Sequence, residues 1–279
     1  MRQVSHAYVQ ATAVAAGQNG GVEIDEHVAA LRREGAQLAD AAERAGLDAA
    51  VPPCQPWLVK DLLRHTGYIH RWAARHITEC PDSVIDGPPE ADILRGGAAD
   101  PDLFGWFRAG HAALVEALST ADPGLQCATL MPAASPLAFW ARRQAHETAI
   151  HRADADSASG IRPEYAADFA ADGVDELIMG FGQRRKYRPS AEHDGTMLVQ
   201  ATDTGDAWRV GAEAGRIQAR REPASAGSPA AADCTVSGPA SGVYLFLWNR
   251  SDAAAAQVSI TGDPAFLAGW QSSVRVRWS

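Results

Sequence analysis

The chain has no long apolar run, only four cysteines and almost no lysine, and each shortage removes a class of answers. No stretch reaches the roughly 20 apolar residues needed to cross a bilayer, so no membrane role is expected. The N-terminus lacks the basic start, apolar stretch and cleavage site of an export signal, and a cytoplasmic protein is expected. Cys54, Cys80, Cys127 and Cys234 are scattered without paired spacing, which argues against a disulfide framework and against a cysteine-rich zinc site. None has an activating base near it in sequence, so none is expected to act as a nucleophile. Lys60 and Lys186 are the only lysines, and 25 basic residues face 34 acidic ones for a net charge of -9. The clustered positive charge that phosphate backbones require is missing, which excludes nucleic acid as a partner.

What is present suits a sizeable core, since 46% of the 279 residues are hydrophobic, enough for one large domain or two. Residues 1–24, with GQNGG at 17–21, read as a flexible extension. From 25 to about 160 the helical period dominates, broken by VPPCQP, CPDSVIDGPPE and ADPG; it predicts helices over 25–46, 58–79, 101–120 and 135–155, hence a four-helix bundle. Beyond 161 the pattern changes to one helix over 164–182 and then to short segments rich in Val, Thr and Trp. TMLVQATD, AWRVGAEAG, GRIQARRE, CTVSG and QVSITGD read as strands, with GVYLFLWNR and PAFLAGWQSSV as helices. The expected fold is therefore an N-terminal helical bundle followed by a small α+β domain over 161–279. REPASAGSPAAAD, at 221–233, reads as a surface loop.

In the fourth helix Leu137, Trp140, Gln144, Glu147 and His151 step by three and four. They form one stripe whose polar members continue its apolar start. Arg142, Arg143, His146 and Arg152 lie on other faces, expected to be exposed. A buried carboxylate beside an imidazole is costly without a partner such as a metal ion, although Glu-x-x-x-His is also common in solvated helices. In the second helix Leu58, Leu62, His65, Ile69 and Ala73 form the inward stripe, with His65 its only polar member. A lone inward histidine is ordinarily a satisfied core residue. Together, however, an inward His and an inward Glu/His pair can supply three metal ligands with an open position, the composition of a catalytic zinc site. His70 is a rival ligand shifted to one edge; His76 and His111 are expected at the surface.

The stretches CQPWLVKDLLRHTGYIHRWAA, FWARRQAHETAIHRADAD and LFLWNR together resemble the mycothiol-dependent maleylpyruvate isomerase family, over nearly the whole chain. The resemblance implies a DinB-like metal-binding bundle and a C-terminal domain similar to sterol carrier proteins. It implies zinc ligands at His65, Glu147 and His151. It also implies a residue important for activity at Arg250, although Asn249 stands before it where the family commonly has Gly. Trp57 and Asp61 match the family's Trp-x-x-x-Asp helix start, read as packing and capping.

Such a site would bind a small-molecule thiol, which the resemblance implies is mycothiol, with ergothioneine another candidate, and deprotonate it for attack on a small electrophile. Arg250 could then grip a substrate carboxylate with both arms of its guanidinium. If the thiolate adds to a conjugated double bond and leaves again, the enzyme is a cis–trans isomerase; if it stays, a thiol S-transferase. The N-terminal extension and Asn249 tilt the reading slightly to the transferase. Two other readings remain open. One is a non-catalytic binding protein with a structural metal, its pocket walled by Trp208, Trp248, Trp270 and Trp278. The other is a metal-dependent hydrolase. A fourth protein ligand, from His70 or His146, would indicate a structural metal.

Overall fold

A computed structural model describes residues 23–184, 195–213, 216–223 and 231–274. The extension expected over 1–24 lies outside these, apart from Glu23 and Ile24, where the first helix starts. Four long helices follow: α1 (Ile24–Ala45), α2 (Val59–Glu79), α4 (Leu103–Thr120) and α5 (Pro136–Ser157), with a short α3 (Glu90–Arg95) in a segment the sequence reading left as loop. Their starts are locally encoded. The Leu58 amide donates to Asp61 Oδ2 at 2.9 Å, so Asp61 closes the first turn of α2, and Ser135 Oγ accepts from Ala138 at 3.1 Å ahead of Pro136. α1 packs along α5 and α2 along α4. Leu38, Leu62, Leu63, Leu103 and Phe107 fill one end of the bundle without measurable exposure; full burial of each such side chain contributes roughly 1.5–3 kcal/mol.

The second half opens with α6 (Ala167–Asp175), which runs on through a π turn at Glu176–Gly180 and a 3-10 turn at Phe181–Gln183. Then come β1 (Gly195–Ala201), β2 (Ala207–Glu213), β3 (Arg216–Glu222), β4 (Cys234–Gly238), α7 (Ala240–Leu247), β5 (Ser259–Gly262) and α8 (Ala265–Ser273). The sheet order is β3-β2-β1-β4-β5. All neighbours are antiparallel except β1 and β4, which pair in parallel with Val199 opposite Val236. All five expected strands are present. Of the loop expected over 221–233, Arg221 and Glu222 belong to β3 and residues 224–230 lie outside the described part. Among the described residues no helix is long and apolar enough to cross a membrane.

The two halves share one core. Leu31, Trp140 and Ala145 of the bundle are contiguous with Ile178, Met197, Val236 and Tyr244 of the second half. At Gly173, on α6, an added Cβ would lie 2.3 Å from the Tyr244 ring and 2.9 Å from His146, so the junction accepts no side chain there. This shared core corrects the sequence reading of α5. Arg143 and His146 are buried at 4% and 0% exposure, and Arg142 and Arg152 are half-buried. The face that a lone bundle would expose is covered by α6 and α7. His76 is likewise buried, its Nδ1 bonded to the Trp72 carbonyl and its Nε2 accepting from the Ile85 amide. His111 is half-buried and bonds the Leu31 carbonyl.

Candidate metal centre

α2 and α5 bring His65, Glu147 and His151 together. Glu147 Oε1 lies 3.6 Å from His65 Nε2 and 3.2 Å from His151 Nε2, and the three ligand atoms all fall within 4.8 Å of one another. Tetrahedral zinc with bonds near 2.0–2.1 Å would hold its ligands about 3.3 Å apart. The donor set therefore fits zinc in both chemistry and spacing.

The neighbours fix how each ligand points. Arg143 Nη2 donates to Glu147 Oε2 at 2.8 Å, which leaves Oε1 turned toward both imidazoles. The other arm of Arg143 is bonded to the buried Glu176. His151 Nδ1 is bonded to Asp154 Oδ2 at 2.9 Å, so its Nε2 can present a lone pair to a metal. Asp154 is gripped in turn by Arg250, with Nε 2.8 Å from Oδ1 and Nη2 3.0 Å from Oδ2. The fork expected to hold a substrate carboxylate thus holds one of the protein's own. His65 is fixed by packing instead: Trp57 lies against it with ring centroids 4.9 Å apart, and its buried Nδ1 has no hydrogen-bond partner. Trp57 therefore packs on the site itself.

Burial sets the electrostatics, and the charged partners then overcome it at three of these groups. Desolvation alone would raise the Glu147 carboxyl, but Arg143 and the two histidines hold it well below the usual carboxylate range. Desolvation would likewise lower His151, yet its bonds to Asp154 and Glu147 lift it to about 9. Asp154 is held well below the usual range against its own burial by Arg250 and His151. At His65 burial wins and the imidazole falls below its ordinary value in spite of Glu147. Arg143 and Arg250 balance the two carboxylates, and the lifted His151 shows that its position still favours positive charge, which a divalent cation would supply.

The three ligands line a cavity of about 690 Å³ between the halves. Its walls include Trp57, Ile69, Trp72, Ile150, Leu177, Phe181 and Trp248. Of the tryptophans considered as pocket walls, Trp248 is one; Trp208 is buried and bonded to Asp175 Oδ1, Trp270 is buried among core residues, and Trp278 lies outside the described residues. Cys54 also lines the cavity, 3.7 Å from Arg250 Nη2. Burial and Asp154 push its thiol well above the ordinary range, which agrees with a cysteine that does not act as a nucleophile. His70 points elsewhere, bonding Thr148 Oγ1 at 2.9 Å. Among the described residues the grouping contains no fourth protein ligand.

His27, His146 and Asp172 form a second close group. Both histidines and the Arg142 Nε lie 2.8–2.9 Å from the same oxygen, Asp172 Oδ2. That oxygen already accepts from the Arg142 guanidinium, and the three residues form a hydrogen-bonded clasp between the bundle and α6.

Arg143 and Asp154 were not anticipated as parts of the site, although their spacing signalled it: Arg143 precedes Glu147 by four residues and Asp154 follows His151 by three. Asn249 has φ 59°, a left-handed conformation that glycine adopts freely and asparagine tolerates. The departure from Gly before Arg250 therefore preserves the turn that aims the guanidinium.

Comparison with known proteins agrees with this architecture. No curated protein matches the chain. Solved structures that match include a histidine-to-alanine mutant of mycothiol-dependent maleylpyruvate isomerase, with TM-score 0.60 and 13% identity over 86% of this chain and 93% of that one, and the mycothiol-dependent maleylpyruvate isomerase itself, with TM-score 0.58 and 13% identity over 82% and 90%. The family model for the mycothiol maleylpyruvate isomerase N-terminal domain matches residues 28–156, and that for the MDMPI C-terminal domain matches residues 168–269. The chain thus belongs to the mycothiol-dependent maleylpyruvate isomerase family.

Proposed function

We propose that the protein is a zinc-dependent enzyme that uses a low-molecular-weight thiol, mycothiol first among candidates, to attack a small electrophile. The observation that carries this reading is a pair of histidines and a carboxylate at tetrahedral spacing on a cavity wall, with no fourth protein ligand among the described residues. Zinc held there would lower the pKa of an incoming thiol from about 8.5, so that thiolate persists at neutral pH.

The chain's own groups do the rest. His65, Glu147 and His151 hold the ion, and the single ligand charge leaves it with about one net positive charge. Arg143 and Asp154 keep Glu147 and His151 in the orientation that binding requires, and Arg250 keeps Asp154 in place. Trp57, Trp72 and Trp248 limit water around the reacting atoms. Three arginines line the cavity. Arg143 and Arg250 already face carboxylates, whereas Arg184, half-buried, has no acidic partner among the described residues. Arg184 is therefore assigned to the anionic group of the electrophile.

Family membership and the two structural matches support the branch in which thiolate adds to a conjugated double bond and leaves again, cis–trans isomerisation. S-transfer shares its first step. The test is turnover of maleylpyruvate by purified protein with and without mycothiol, before and after chelation. Isomerisation that needs both thiol and metal supports the reading; thiol-independent turnover, or none, overturns it.

A further inference from the structure

A buried amide in the cavity has no hydrogen-bond partner among the described residues. Gln144 lies on α5 one turn before Glu147, is 1% exposed and lines the cavity. Its Oε1 is buried without a hydrogen bond, and neither atom of the amide is bonded to a described residue. An unmatched buried amide is costly, and natural cores seldom keep one without a use. Several ionisable groups of the cavity are engaged: Arg143 with Glu147 and Glu176, His151 with Asp154, Asp154 with Arg250. Because neither amide atom is held by a hydrogen bond, rotation about the last side-chain bond can present Nε2, a donor, to the cavity. A three-residue separation on a helix places Gln144 on the same face as Glu147, about 4.5 Å along the axis. Both residues line the same cavity as His65 and His151.

We propose that Gln144 is a catalytic hydrogen-bond donor, its Nε2–H binding the carbonyl oxygen conjugated to the electrophile's double bond. This rests on the thiol-addition reading above. When thiolate sulfur adds to the β carbon, a C–S bond forms. The alkene π pair becomes the new C=C bond of an enolate, and the carbonyl π pair moves onto oxygen. The former double bond is then single and rotates. Return of the same electrons reforms the carbonyl and the alkene and expels the thiolate, with no proton or electron gained or lost. Negative charge develops on the oxygen that Gln144 meets, so the bond is stronger in the transition state than in the ground state. A neutral amide also suits the task because it stabilises the enolate without protonating it, and protonation would trap the adduct. The substrate class is an unsaturated carbonyl compound.

The test compares wild type with Gln144→Leu, and with Gln144→Met should the first fold poorly. Bound zinc should be unchanged and Tm unchanged or raised, because an unmatched polar group has been removed. kcat and kcat/KM should fall together by about 100-fold. Calorimetric titration with the unreactive keto acid 4-oxopentanoate should show about fivefold weaker binding, the effect of one neutral hydrogen bond. Wild-type turnover and wild-type affinity in a zinc-replete variant would overturn the assignment, as would loss of zinc with a lowered Tm in both variants, the mark of a structural role. If wild type itself shows no thiol-dependent turnover, the functional reading fails first, and the titration alone decides whether Gln144 meets a carbonyl.

Discussion

Two groups in this molecule have the same composition, two histidines and one acid, and opposite characters. In His65, Glu147 and His151 the acid's second oxygen is occupied by Arg143 and its first faces both imidazoles across a cavity. In His27, His146 and Asp172 all the donors crowd onto one oxygen together with Arg142. His146 is moreover packed between Phe169 and Tyr244, and none of the three lines the cavity. Residue type alone does not separate the proposed metal site from a clasp. What separates them is where the nearest arginine sits: on the oxygen turned away from the histidines, or on the one they share.

The sharpest way to break this comparison is substitution at both groups. Replacing His65, Glu147 or His151 by Ala should remove bound zinc and reduce thiol-dependent turnover at least 1,000-fold. Replacing His27 by Ala should keep one zinc per chain and cost about 1–3 kcal/mol of stability through the lost hydrogen bond to the Asp172 carboxylate, read by denaturant unfolding and metal analysis. Zinc loss in the second variant and not in the first three would exchange the two roles.

Next in size is the support for His151. Asp154→Asn keeps the site's shape but weakens the hydrogen bond that orients the imidazole, so zinc affinity should fall about 10- to 100-fold, measured by competition with a chelator. Arg250→Ala should leave stoichiometric zinc at saturating metal yet destabilise the fold by about 3–5 kcal/mol, because Asp154 is then a buried charge without its counterion. An unchanged unfolding curve would show that Arg250 is free for substrate after all.

A smaller effect sharpens the charge assignment in the cavity. Arg184→Gln should raise KM for a carboxylate-bearing electrophile about tenfold and leave kcat and zinc content near wild type. The methyl ester of the same compound should be indifferent to the change.

A pH effect on stability is expected at Glu176, a buried residue beside Arg143. Desolvation outweighs Arg143 and raises its carboxyl to about 7 from an ordinary 4.5. The folded chain therefore holds a proton that the unfolded chain has lost between about pH 4.5 and 7. Stability from this group is complete below that window and declines as pH rises through it, by up to about 3 kcal/mol. Glu176→Gln has no proton to lose, so its stability relative to wild type should grow from pH 5 to pH 8 in parallel denaturant titrations.

How much was legible in the sequence differs between the same regions. His65, Glu147 and His151 could be placed because each continues an apolar stripe at helical spacing, and inward direction is what that period encodes. Ser135 could be read as a helix start because capping is local, and Asp61 is reached through the family resemblance. The other side of α5 could not. Arg143 and His146 read as solvated only while α5 is taken as an outer bundle helix, and the cover comes from α6 and α7, which no local period reveals. The grip of Arg250 on Asp154 spans 96 residues of chain. Spacing alone could have flagged Asp154, three residues after His151, but only the fold shows which cation completes it.

The measurement that tests the central claim most directly is a zinc-edge X-ray absorption spectrum of the purified protein before and after mycothiol is added. The account predicts a shell of nitrogen and oxygen alone at first, then one sulfur near 2.3 Å once the thiol is present. A shell unchanged by the thiol, or the absence of bound metal, would contradict it.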